Sequence, residues 1–257
     1  MKLIRYAIFL GGLVILVLAF GFIFQAPIAL QLWPWPDGRL SYLFMGSILA
    51  AVSAAAVWIG WTGELGALPA GSLNVFIIAL GSANYFFQLA PDRPNLVSIG
   101  WMSIGFAVLS GFTFLWSRRI PLHASLPTPL PVRVSFGIFA ATLIFAGTAL
   151  LLRFPIFPWK LNPDSSVIFG CIFFGDAFYF IHALFKPQWN NTVGQLLSFL
   201  AYDLVLIGPF LKLLRTIDPA FKVSLIVYIT VLIFSGTLAV YYLFINPRTR
   251  SRLSVTE

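Results

Sequence analysis

Two acidic side chains interrupt the most apolar parts of this sequence. Asp176 and Asp203 are the only acids inside stretches long enough to cross a bilayer. Placing a carboxyl group at the middle of a membrane costs about 2.5 to 3.5 kcal/mol even on a lenient insertion scale. A residue with this cost needs a compensating contact or a function, and the chemistry open to a carboxyl group there is the binding of a proton or a cation.

The two acids are predicted to lie at the same depth. At about 1.5 Å per helical residue, Asp176 lies about 16 Å into the membrane from one face, and Asp203 lies about 15 Å from the other. Both values correspond to the middle of a hydrocarbon core about 30 Å thick. Two nearby carboxyl groups in a low dielectric cannot both ionise at low cost, so the pair is expected to carry at least one proton.

A polar stripe follows the first of these acids. Tyr179 and His182 come after Asp176 at intervals of three residues, and each interval advances about 4.5 Å along a helix. Because histidine titrates near neutral pH, the stripe is expected to pass a proton or to orient a polar solute.

The alternative interpretation of the two acids is structural. Both would then be neutral, and their hydrogen bonds would hold neighbouring helices together. The polar side chains nearest to them in the sequence are Tyr179, Tyr202 and Gln195, which are the expected partners in this interpretation.

A flexible joint is predicted beside Asp203. Gly208 and Pro209 follow it in the same apolar stretch, and the corresponding stretch of the first half of the chain contains Gly81. Proline removes a backbone hydrogen bond and pushes on the preceding turn of a helix. Matching Gly or Pro interruptions in two halves of a chain indicate a binding site at mid-membrane.

Eight long apolar stretches must position these side chains. With 60% apolar and only 9% charged residues, a water-soluble fold has too little polar surface to cover its core. Each stretch has close to the 20 residues that a spanning helix needs, and runs such as residues 8–24 are apolar on every face, unlike the strands of a membrane barrel. The predicted fold class is an all-α integral membrane protein with eight transmembrane helices. The stretches are residues 6–24, 40–61, 70–90, 96–117, 133–152, 165–185, 193–211 and 222–245.

Matching landmarks divide the eight stretches into two groups of four. The same four residue types recur 124 positions apart, without a gap, and we interpret them as the trace of a duplicated four-helix unit. An even number of spans makes the two copies parallel. The landmarks are Pro34, Trp35, Ser41 and Gly46, which recur as Pro158, Trp159, Ser165 and Gly170.

The predicted organisation has four parts. Residues 1–117 form the first four-helix membrane half, residues 118–132 a proline-rich cytoplasmic connector, residues 133–245 the second four-helix half, and residues 246–257 a basic cytoplasmic tail. Prolines cannot continue a helix and favour an extended, semi-rigid segment, so the connector is expected to be the seam between the halves.

The distribution of basic residues predicts the topology. With both termini in the cytoplasm, nine Lys and Arg residues lie on the cytoplasmic side and seven on the other, which agrees in sign with the positive-inside rule. The net charge of +8 therefore does not indicate binding to nucleic acid. We expect a multi-pass protein of a bacterial-type inner or plasma membrane.

Three tryptophans lie beside prolines at the outer ends of two spans. Trp33 and Trp35 precede the second span, and Trp159 precedes the sixth. Because indoles prefer the headgroup zone, we interpret them as an interfacial collar that fixes where these helices enter the membrane. The functional alternative is a paired lid over a cavity mouth between the halves.

No motif identifies a cofactor, a metal or a reaction. Cys171 is the single cysteine, which excludes an intrachain disulfide or a cysteine-based metal cluster. All lysines lie outside the central parts of the spans, and the two histidines include only one within a span, so neither a retinal Schiff base nor an intrachain bis-histidine haem is expected. Phosphate-loop, serine-elbow and zinc-protease motifs are absent from the sequence.

The favoured hypothesis is a proton- or cation-coupled transporter of a small solute, with the two acids as the binding site. The main alternative is a noncatalytic membrane subunit or assembly scaffold that binds a partner membrane protein or a second copy. In that case the small-residue face of the second span, formed by Ser47, Ala51 and Ala55, would be an exposed contact surface. An intramembrane enzyme acting on lipid headgroups is less favoured, because both acids lie too deep.

Overall fold

The computed structural model describes residues 1–123 and 126–250 of the chain. Within these residues the protein is all-helical, and eight helices are long and apolar enough to cross a membrane. A short helix, Pro27–Leu30, lies in the first connection, and a 3-10 turn, Leu65–Ala67, precedes the third long helix. The eight are α1 (Lys2–Ile23), α2 (Arg39–Thr62), α3 (Leu68–Leu89), α4 (Leu96–Ser117), α5 (Leu130–Leu151), α6 (Pro163–Phe185), α7 (Trp189–Leu213) and α8 (Pro219–Val240), the last continued by a wider π turn, Tyr241–Ile245.

Several helices begin earlier than the apolar stretches that predicted them. Pro131, Pro163 and Pro219 lie in the first turn of their helices. The first-turn N–H groups have no partner within a helix, so proline is tolerated there. The non-helical part of the predicted connector therefore ends at Pro129, and the last seven residues of the predicted basic tail lie outside the described residues.

The described residues form two compact units. The first consists of Met1–Leu65, Phe157–Lys160 and the described residues from Thr192 onward; the second consists of Gly66–Ile156 and Leu161–Asn191. The first unit therefore contains α1, α2, α8 and α7 from Thr192 onward, and the second contains α3 to α6. These units do not coincide with the two predicted sequence halves, because each unit takes one helix pair from each half. The halves describe a duplication of sequence and stay a prediction.

In the first unit, small residues bring α1 close to α2. A Cβ atom built on Gly60 would lie 2.6 Å from the Cα atom of Phe9, so the two backbones are in contact. The hydroxyl of Ser53 donates to the carbonyl of Gly12 at 2.9 Å. The guanidinium of Arg5 donates to the carbonyls of Gly60, at 2.8 Å, and of Trp61, which satisfies acceptors that the end of α2 leaves open.

The small-residue face of α2 is covered. Ser47 and Ala55 are buried, and the carbonyl of Ala51 accepts a hydrogen bond of 2.9 Å from Ser198 of α7. Close packing, which small residues four apart predict, is therefore observed at this face, and the exposure that the subunit alternative required is not. Small side chains let a second helix approach the backbone, and α7 occupies that position in the first unit.

In the second unit, glycines and the proline-rich connector organise the helices. A Cβ atom built on Gly170 of α6 would lie 3.0 Å from the carbonyl oxygen of Gly147 of α5. The backbone N–H of Thr128 donates to Pro187 at 2.8 Å, and that of Trp189 donates to Leu126 at 2.7 Å. The connector is thus attached to the loop between α6 and α7 and is not a free linker.

Candidate functional site

The carboxyl group of Asp203 is buried in the first unit. Its side chain belongs to α7, and Asp203 is 5% exposed. The hydroxyl oxygen of Ser235, on α8, lies 3.1 Å from Oδ1 and 2.9 Å from Oδ2. A Cβ atom on Gly236 would lie 3.2 Å from Oδ2, so glycine at this position leaves room for the carboxyl group.

The hydroxyl of Ser235 lies close to more acceptor atoms than it has hydrogens to donate. Its oxygen also lies 2.8 Å from the carbonyl oxygen of Val231, but a hydroxyl group has one hydrogen to donate. If it donates to Val231, the contact with Asp203 is a hydrogen bond only when Asp203 supplies the hydrogen. If it donates to Asp203, the carboxyl group can be ionised. The two arrangements differ by one proton on Asp203 and by the rotation of one hydroxyl.

No basic side chain balances Asp203 within the described part of the first unit. Ser235 is the one side chain there that hydrogen bonds to it. A buried carboxylate without an opposite charge is costly, and one neutral hydroxyl offsets only part of this cost. A proton or a small cation on Asp203 would remove it.

Asp176 has a different partner in the second unit. The amide of Asn74, on α3, donates from Nδ2 to Oδ1 of Asp176 at 2.8 Å. Asn74 is 5% exposed, and its Oδ1 has no hydrogen-bond partner among the described residues. A Cβ atom on Gly175 would lie 2.6 Å from that oxygen, so this glycine permits the close contact between α3 and α6.

The hydrogen bonds of the two acids differ from those of the structural interpretation. That interpretation named Tyr179, Tyr202 and Gln195 as partners, and this choice is wrong. The partners found, Asn74 and Ser235, were missed. Both are polar residues inside long apolar stretches, and that signal was available in the sequence. That the two acids act as one site stays a prediction.

Tyr179 and His182 lie on α6 with Asp176, and both are buried. The rings of His182 and Phe114 meet edge to face, with centroids 6.5 Å apart, and Nδ1 of His182 has no hydrogen-bond partner among the described residues. Asp176 hydrogen bonds to Asn74 instead of Tyr179. A polar path along the stripe stays a prediction.

The predicted joint lies inside a continuous helix. Helix α7 runs through Pro209 to Leu213, so the proline does not end it. No atom outside the local helix lies within 4 Å of a Cβ built on Gly208, which leaves space around this turn. Hinge motion at Gly208 and Pro209 stays a prediction.

The tryptophans of the predicted collar make specific contacts. Trp159 is buried, and its Nε1 donates to the hydroxyl of Ser41 at 3.0 Å. Trp33 donates to Asp37 at 3.2 Å and meets Trp35 edge-on at 5.8 Å between centroids. These contacts fix the start of α2. The collar's depth relative to lipid headgroups stays a prediction.

Comparison with known proteins identifies no relative of this chain. No protein-family model matches the chain, and no characterised protein or solved structure gives a significant match. Within the described residues, no group of three or more His, Cys, Asp or Glu side chains is arranged to hold a metal ion.

Proposed function

We propose that this chain is a multi-pass membrane protein that couples proton movement to the transport of a small solute. Asp203 is the main proton carrier in this proposal, and Asp176 is the second acid of the pathway. The membrane is a bacterial-type inner or plasma membrane, with both termini in the cytoplasm. The eight long apolar helices support the membrane location.

The observation that carries the proposal is the single neutral partner of Asp203. A carboxyl group held only to help packing would be expected to gain several hydrogen bonds or a basic neighbour. Asp203 instead shares the hydroxyl of Ser235 with a backbone carbonyl. Gain and loss of a proton at Asp203 then change the orientation of that hydroxyl and leave the contact in place. Such a low structural cost suits a group that changes its protonation state repeatedly.

We also propose that the two sequence halves are a true duplication. In the first unit, Gly46 of α2 contacts Ile23 of α1; in the second unit, Gly170 of α6 contacts Gly147 of α5. Position 170 lies 124 residues after position 46, and position 147 lies 124 residues after position 23. Chance matches in an apolar sequence would not make both residues of a contact recur at the same spacing.

A contact between more distant helices supports the same shift. Ser198 of α7 hydrogen bonds to Ala51 of α2 in the first unit. Asn74 of α3 lies against Gly175 of α6 in the second unit. Position 198 corresponds to position 74, and position 175 corresponds to position 51, each 124 residues later. The two contacts therefore join the same two positions of the repeat. In this arrangement the copies exchange helices, so that each unit contains one helix pair from each copy.

The experiment is proton movement by purified protein in lipid vesicles with an imposed pH gradient, followed with an internal pH-sensitive dye across a panel of small solutes. We expect protein-dependent and solute-dependent acidification. Absence of movement with every solute, combined with stable co-purification of another membrane protein, would favour the noncatalytic-subunit alternative.

Replacing Ser235 with Ala tests the hydroxyl. We expect the rate of proton movement to fall about tenfold, because the loss of one hydrogen bond to a charged group costs about 1.5 kcal/mol or more. The matched control is Ser103→Ala, whose hydroxyl also donates to a carbonyl one turn earlier, that of Ile99 at 2.9 Å. Equal rates for the two variants would show that the hydroxyl of Ser235 serves packing alone.

Replacing Gly208 with Ala tests the joint. Because the Cβ atom meets open space, the substitution should stabilise the helix by about 1 kcal/mol. If α7 bends here during transport, the stiffer helix should lower the transport rate several-fold while the melting temperature stays the same or rises. Gly137→Ala, also in open space, is the control on another helix. An unchanged rate for Gly208→Ala would exclude a required hinge.

A further inference from the structure

A cluster of polar and charged side chains lies at one end of the helices of the second unit. Tyr85 belongs to the last turns of α3, Arg93 to the loop before α4, Arg153 follows α5, and Asp164 lies in the first turn of α6. In the sequence, Arg93 and Arg153 counted only as two of the seven basic residues on the non-cytoplasmic side. Packing brings together side chains up to 79 positions apart.

The carboxylate of Asp164 is the centre of the cluster. Tyr85 donates its hydroxyl hydrogen to Oδ1 at 2.6 Å, and Arg93 donates to Oδ2 at 2.7 Å. Arg153 donates from Nη2 to the hydroxyl oxygen of Tyr85 at 3.0 Å and lies 3.9 Å from Oδ1. Both carboxylate oxygens therefore already have close donors other than Arg153.

The cluster contains more positive charge and more donors than its carboxylate satisfies. Two guanidinium groups share one carboxylate, and their side chains are 48% and 53% exposed, for Arg93 and Arg153 respectively. A guanidinium group has five N–H donors, and most of those on Arg153 have no acceptor among the described residues. The neighbouring acid, Asp92, is exposed and forms no ion pair with either arginine among the described residues.

The backbone of Arg153 is an independent indication that its side chain has a role. Its φ angle is +61°, in the left-handed region that glycine occupies at most helix ends of this type. Its N–H donates to Leu150 at 2.9 Å, and that of Phe154 donates to Ala149 at 2.8 Å, which is a helix-ending motif that favours glycine. Strained backbone positions cluster at functional sites, which agrees with a role for the cationic side chain of Arg153.

The surroundings indicate which anion fits. The cluster is formed at the ends of apolar helices, which is where lipid phosphates would lie. Exposed apolar side chains belong to the same helix ends: Leu152 is 65% exposed, Phe154 57% and Val97 39%. A ligand that combines a phosphate group with hydrocarbon chains would therefore meet both kinds of surface.

We propose that Arg153 and Arg93 bind the phosphate group of an anionic phospholipid. The planar fork of a guanidinium group matches the oxygens of a phosphate. Asp164 and Tyr85 orient the two arginines and leave their outer N–H groups for the lipid. This inference rests on the membrane location proposed above but not on transport.

The experiment measures which lipid the intact protein retains. The protein is purified in detergent, mixed with equal amounts of phosphatidylglycerol and phosphatidylcholine, and examined by native mass spectrometry. We expect preferential retention of phosphatidylglycerol. Arg153→Gln should lower that retention about tenfold, as expected for lost charge-assisted hydrogen bonds. Arg133→Gln, at an exposed arginine outside the cluster, should leave it unchanged.

Three outcomes would overturn the proposal. These are equal retention by Arg153→Gln and the parent, an equal loss in Arg133→Gln, and displacement of the lipid by millimolar inorganic phosphate, which would indicate a soluble phosphate as the ligand. If Arg153→Gln does not fold, Arg153→Lys keeps the charge and removes the fork, and a several-fold loss is expected. Unchanged proton movement in a variant that loses its lipid separates this proposal from the proposed function.

Discussion

Proton movement in vesicles is expected to stop when Asp203 is replaced by Asn. Asparagine has nearly the same size and still accepts a hydrogen bond from Ser235, but it cannot take up or release a proton at physiological pH. We expect the rate to fall about 100-fold or more, into the range typical for the loss of a group that transfers protons. The measurement is the initial rate of dye quenching under an imposed pH gradient.

Asp218→Asn is the matched control for this change. Asp218 is exposed and accepts a hydrogen bond from the N–H of Ala220 at the start of α8, at 2.8 Å, and asparagine caps a helix as well as aspartate does. The control should therefore keep both its rate and its melting temperature. If Asp203→Asn moves protons as fast as this control, Asp203 is a helix contact and not a proton carrier.

The largest loss of stability is expected from Gly60→Val. A Cβ atom at this position would lie 2.6 Å from both the N and Cα atoms of Phe9. These are backbone atoms, so α1 must move away from α2, and the branched side chain enlarges the shift. We expect a loss of about 3 kcal/mol or more in the free energy of unfolding, at the upper end of the range for overpacking. Thermal unfolding in detergent measures it.

Gly11→Val is the control for the contact at Gly60. Gly11 lies on α1, and no atom outside the local helix lies within 4 Å of its ideal Cβ position. Valine is a better helix former than glycine, so this variant should be as stable as the parent or slightly more stable. Equal destabilisation of the two variants would contradict backbone contact between α1 and α2.

The existence of the helices was predictable, but their packing was not. A run of about 20 apolar residues has few alternatives to a helix, and all eight runs are helical. Lipid and protein interior are both apolar, so hydropathy does not tell which face of a helix meets a neighbour. The pairing of α2 with α7, seen in the hydrogen bond from Ser198 to Ala51, left no trace in the hydropathy of either helix.

Only the residues of the candidate site that cost most to bury could be predicted from the sequence. An acid in an apolar stretch is conspicuous because of its insertion cost, so Asp176 and Asp203 stood out. Asn74 and Ser235 cost far less to bury, and many such residues satisfy their own helix. Asn74 is 102 positions from Asp176, and sequence spacing carries no information about such a contact. The cluster around Asp164 was missed for the same reason.

The interleaved composition of the units has a consequence for biosynthesis. Helices α3 to α6 are consecutive, so the second unit can assemble as soon as they leave the ribosome. The α1–α2 hairpin has to wait for α7 and α8, while residues 66–191 are translated. At about 5–20 residues per second, this delay lasts roughly 6 to 25 seconds. The nascent chain therefore completes the surroundings of Asp203 last, because Ser235 and Gly236, which contact its carboxyl group, belong to α8.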